Sequence, residues 1–80
     1  MPLYYFHISD RETILDDHGT ELPDLAAARL EALRASRELA FTGHPHFWAG
    51  ERWRIWVTDK PNAAGPTLLA VEVSGTVLAA

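Results

Sequence analysis

Apolar and polar positions change rhythm several times along this chain, and each change marks an element. Leu3 to Ser9 is aromatic and apolar with no Gly or Pro, the signature of a strand. Strand alternation sends Tyr4, Phe6 and Ile8 to one side and Leu3, Tyr5 and His7 to the other. Asp10-Arg11-Glu12 then forms a polar turn, and Thr13 to Asp16 returns as a shorter second strand, closing a hairpin. Asp17-His18-Gly19 bends the chain again, with Gly19 free to adopt positive φ.

The period then lengthens. From Leu25 to about Phe41 nearly every residue is a strong helix former, and Asp24 is placed to accept the free N–H groups of the first turn. At 3.6 residues per turn, Leu25, Ala28, Ala32, Ala35, Ser36 and Leu39 form one stripe, with Glu31, Arg34 and Glu38 opposite. The buried stripe is mostly alanine, so the helix can lie close against a flat sheet. Gly43 is a natural stop. His44 to Gly50 has no clean period and reads as a loop.

Alternation resumes at Arg52 to Thr58, where Trp53, Ile55 and Val57 oppose Arg52, Arg54 and Trp56. Asp59 to Pro66 is a long turn. Thr67 to Val73 is a fourth strand with Leu69, Val71 and Val73 on one side and Leu68, Ala70 and Glu72 on the other. The expected fold is therefore α+β, in the order ββαββ: a four-stranded, mostly antiparallel sheet with one helix packed on one face. The covered face takes Tyr4, Phe6, Ile8, Trp53, Ile55, Val57, Leu69, Val71 and Val73. With the first strand between the second and third, the helix becomes a crossover.

Composition narrows the classes of function. Eighty residues make a single small domain, and a chain of this size buries only roughly 60% of its unfolded surface. There is no cysteine, so neither a disulfide framework nor a thiolate metal site supplements the core. Eleven acids against seven bases give a net charge of −4, and Lys60 is the one lysine. Clustered cations are what a phosphate backbone requires, so nucleic acid is a poor partner for this chain. No apolar run approaches the ~20 residues of a membrane span, and the N-terminus lacks the features of a signal peptide, so a cytoplasmic location away from membranes is expected.

Several short motifs occur together: Tyr4-Tyr5-Phe6-His7 with Asp10, Asp17-x-Gly19-x-Glu21-Leu22-Pro23-Asp24, Glu31-Ala32 in the Ala-rich helix, and Trp53-x-Ile55-x-Val57-x-Asp59. As a set they resemble a widespread family of short bacterial proteins classed as a domain of unknown function, domain of unknown function 6894. The resemblance covers most of the chain and implies a fold-sized unit, with no activity, cofactor or catalytic residue attached. The His44 to Glu51 stretch and the Pro61 to Pro66 turn are longer than the family pattern.

Candidate chemistry is sparse. His44-Pro45-His46, with His7 and His18, could offer nitrogen ligands to a metal, but no third ligand is placed and surface histidine is the simpler reading. Asp10, Asp16 and Asp17 could hold a cation or act as an acid–base pair, yet aspartate also collects in hairpin turns for backbone reasons. An N-terminal proline base at Pro2 conflicts with the hairpin that follows it. No cofactor is expected.

The most informative constellation is the sheet face left bare by the single helix: Leu3, Tyr5, His7, Arg52, Arg54, Trp56, Leu68, Ala70 and Glu72. Tyr5 and Trp56 together could expose on the order of 300 Å², near the size at which a patch usually signals contact. Tyr, Trp and Arg are also the types enriched at interface centres. The leading expectation is a non-enzymatic protein-interaction module. It forms a homodimer through that face or an exposed edge strand, or engages an unidentified protein partner. The second is a small-molecule or metal-binding domain, or a small enzyme, using His7, His18 and the acidic hairpin turn.

Overall fold

In the computed structural model, residues 1–10, 12–41, 48, 50 and 52–79 are described, together with the side chains of those residues except 39–41. The first strand, β1, spans Leu3–Ser9, and its neighbour β2 is only Thr13–Ile14. A further two-residue strand, β3, is Thr20–Glu21, and the helix α1 is Leu25–Phe41. The chain continues through β4, Trp53–Thr58, a short 3-10 turn at Pro61–Ala63, and β5, Thr67–Val73. Among the described residues the sheet has five strands, in the order β2-β1-β4-β5 with β3 also paired to β1. All pairings are antiparallel.

The α+β class and the one helix on an antiparallel sheet agree with the sequence pattern, and β1 lies between β2 and β4, an order the pattern left open. The strand count does not agree, because the expected second strand stops at Ile14 instead of Asp16. Its continuation returns to β1 only at Thr20, giving Ile8↔Ile14 at one end and Tyr4↔Thr20 at the other. β3 and β4 both run antiparallel to β1 and hence parallel to each other, and α1 links them across it.

The helix forms where its sequence requires it. Asp24 Oδ1 accepts the N–H of Ala27 at 2.9 Å, a side-chain cap for the first turn. On the polar side Arg34 bridges Glu31 and Glu38. On the other side Ala28 and Ala32 are wholly buried, and Ser36 is buried with its hydroxyl donating to the Leu33 carbonyl at 2.8 Å. Alanine lets the helix backbone approach the sheet closely, so Tyr4, Ile55 and Val57 are sealed beneath it, with Phe6, Ile8, Leu69 and Val71 packed around them. Burial of Ile55 and Val57 contributes about 2 kcal/mol each. Leu25 departs from the expected stripe and is exposed. Gly43 and most of the His44 to Glu51 loop, with His44 and His46, lie outside the described residues. Trp48 is exposed.

The opposite face differs more from expectation. Tyr5 is 8% exposed and His7 is completely buried, although neither lies under the helix. Residues 16–19 and the Pro61–Ala63 turn roof this end of the sheet, and the two segments are joined by the Asn62 N–H donating to the Asp16 carbonyl at 2.9 Å. Gly19 sits so close over Tyr5 that a Cβ there would fall 2.8 Å from the ring.

Candidate functional site

Two places concentrate what the chain could do: a polar network at the roofed end of the sheet, and the open edge at the other side. The network centres on Asp16. Between β2 and β3 no strand among the described residues lies beside the outer edge of β1, and the Asp16 carboxylate takes the place of one. Its Oδ2 accepts the Phe6 N–H at 3.1 Å, while Oδ1 accepts the N–H groups of His18 at 3.0 Å and Gly19 at 3.2 Å. Burial alone would raise the Asp16 pKa. The three N–H donors, helped by the nearby His7, outweigh it and hold the carboxyl below its ordinary value.

Asp16 also fixes His7. The Asp16 N–H donates to His7 Nδ1 at 3.0 Å, so Nδ1 must carry a lone pair. The proton is then on Nε2, which lies 2.9 Å from Thr58 Oγ1, and the Thr58 hydroxyl donates onward to the Lys60 carbonyl at 2.6 Å. Each group has one consistent role, and the imidazole is neutral. Burial lowers the His7 pKa, partly offset by the Asp16 carboxylate.

A His, an Asp and a Thr within hydrogen-bond reach invite comparison with a nucleophilic triad, but the connections are wrong for one. The imidazole Nδ1 accepts from the Asp16 backbone N–H and Nε2 faces Thr58, so neither ring nitrogen donates to the carboxylate. The Thr58 hydroxyl is buried and spends its proton on a carbonyl, so no reacting atom can approach it. Both ring nitrogens of His7 are occupied. Of the two histidines in the second reading of the sequence, His7 is thus engaged by the fold on both ring nitrogens.

His18 is well exposed and lies 2.6 Å from Asp17. Asp16, Asp17 and His18 bring potential ligand atoms within 4.8 Å of one another, but the Asp16 oxygens already accept three N–H groups. Asp10 serves its own turn, its Oδ1 accepting the Glu12 N–H at 2.7 Å. These are the backbone duties that turn aspartates perform.

The remaining residues of the expected bare face separate into two groups. Arg52, Arg54 and Glu72 are exposed and Trp56 is half-buried, its ring tilted against His7 with centroids 5.3 Å apart and the Arg54 guanidinium 5.1 Å from its centre. Arg54 and Glu72 are direct neighbours across β4 and β5. Leu3 is exposed on β1. Leu68 is a correction: it packs toward the core on the helix side. The register steps from Val57↔Leu69 to Thr58↔Thr67, leaving Leu68 as an extra residue, so alternation fails there.

β5 is the outermost strand on its side, with β4 its neighbour within the sheet. Above it, α1 and β5 enclose an apolar groove of about 310 Å³ lined by Leu25, Arg29, Leu33 and residues 68–71. Leu25, Leu30 and Leu33 are exposed at 41%, 70% and 55%, a concentration of leucine that a solvated helix face does not need. Sequence reasoning assigned Leu25 to the core and did not single out Leu33. The available signal was leucine at positions 25, 30 and 33 of a helix whose buried stripe is alanine.

No curated protein and no solved structure matches this chain. A family model described as "Domain of unknown function (DUF6894)" matches residues 3–74, and the chain belongs to that family.

Proposed function

We propose that this protein is a non-enzymatic interaction module that self-associates by adding strand to strand at β5. The observation that carries this reading is the contrast between the two sheet edges. On the β1 side the edge is blunted: two strands of two residues flank a gap filled by the Asp16 carboxylate. Natural sheets protect an edge in this way. β5 has seven residues, Thr67 to Val73, with one charge, no lysine and no internal proline, and among the described residues no strand pairs with its outer side.

The expected interface therefore moves from the face to its border. Leu68 and Glu72 stay in it because they lie on β5, and Arg54 and Trp56 flank it on β4. Tyr5 and His7 leave it because they are buried within the chain. A standard interface takes about 800 Å² from each partner, roughly a seventh of the 5375 Å² this chain exposes. The β5 edge and the groove beside it, with its exposed Leu25 and Leu33, are the candidate for that area.

Sedimentation equilibrium tests the reading. A dimer is expected at micromolar concentration, and Ala70→Pro should give a monomer with an unchanged circular dichroism spectrum. Proline is tolerated where a strand's N–H faces outward, and it removes that donor. A wild-type chain that stays monomeric throughout would refute self-association.

A further inference from the structure

Resting on the self-association proposed above, we infer that two copies pair antiparallel in one register, with the two-fold axis passing at Val71. Phe6 fixes the direction of the ladder. Its N–H points away from β4, to Asp16, so by the alternation of an antiparallel ladder Tyr5 and His7 direct their backbone groups toward β4. Carried through Phe6↔Val57 and Val57↔Leu69, the same alternation turns the backbone groups of Leu69, Val71 and Val73 inward to β4. Those of Ala70 and Glu72 face outward.

The regular part of β5 is Leu69 to Val73, because the extra residue at Leu68 interrupts the ladder. Val71 is its midpoint. An axis there sets Ala70 opposite the partner's Glu72 and Glu72 opposite the partner's Ala70. Every outward backbone group of the regular stretch is then matched, in about four hydrogen bonds. An axis at Ala70 would instead place Glu72 against the irregular Leu68 of the partner subunit. On the helix side the Val71 register brings two valines together. On the other side it sets each Glu72, already beside its own Arg54, against a small alanine, so the charge stays solvated.

The helices supply a second line of support. α1 packs on both β4 and β5. With strands about 4.8 Å apart, pairing at β5 brings the two helix axes to on the order of 10 Å, the ordinary distance for packed helices. The groove-lining Leu25 and Leu33 would then meet their counterparts instead of water, with the Arg29 stem along them and its head free to reach solvent.

The chain's lack of cysteine makes the register directly testable. In a non-hydrogen-bonded pair the Cα atoms are about 4.5 Å apart, within reach of a disulfide. Val71→Cys should therefore cross-link almost completely under mild oxidation, while Ala70→Cys and Glu72→Cys should not. If Ala70→Cys cross-links in its place, or no variant does while sedimentation still shows a dimer, the register is overturned and self-association stands. If sedimentation shows only monomer, both fall.

Discussion

Asp16 ties together β1, its own turn and the Pro61–Ala63 turn, through its carboxylate, its N–H and its carbonyl. Asp16→Ala leaves three N–H groups without their acceptor and should cost about 3 kcal/mol, read from the urea midpoint. Acid should weaken the fold through the same pair of residues. The unfolded Asp16 titrates at about 3.9, so its contribution is full above that value and lost as pH falls through its lower folded pKa. His7 acts earlier. Above about pH 6.5 it is neutral in both states; below that the unfolded chain gains a proton that the folded chain resists, and stability declines. Unfolding free energies measured from about pH 7 to 5 should fall for the wild type and be distinctly flatter for His7→Gln. Equal slopes would show that His7 is not held neutral.

At the scale of elements, the turns contain both a well-chosen residue and a strained one. Gly19 has φ +76° with the Tyr5 ring against it, so Gly19→Ala should destabilise by about 2 kcal/mol. The Pro61–Ala64 turn closes with the Ala64 N–H donating to the Pro61 carbonyl at 3.2 Å, and both central residues, Asn62 and Ala63, have positive φ. Asparagine tolerates that conformation and alanine does not, so Ala63→Gly should raise stability by about 1 kcal/mol in the same denaturation assay. The helix, its Asp24 cap and the alternation of β1, β4 and β5 were legible in the sequence because each depends on residues close together in the chain. The early end of β2 and the return at β3 were not. They follow from Asp16 bonding to Phe6 and His7, and hydropathy carries no trace of bonds between side chain and distant backbone.

For the whole molecule, the same difference between local and distant information governs the candidate site. Which side chains share a face followed from alternation, but which face stayed bare depended on two loops meeting at Asn62 and Asp16. Those loops cover Tyr5 and His7 and leave Arg52, Arg54 and Glu72 to solvent. One end of the sheet is thereby closed by hydrogen bonds while β5 has no further strand beside it among the described residues, and that asymmetry is the basis for the proposed self-association. Amide hydrogen exchange addresses it most directly, because in the proposed dimer the outward N–H groups of Ala70 and Glu72 bond to a second copy instead of water. Protection at these two amides should rise with protein concentration while that of Phe6, bound to Asp16, stays constant. Rapid exchange at Ala70 and Glu72 at every concentration would contradict the account.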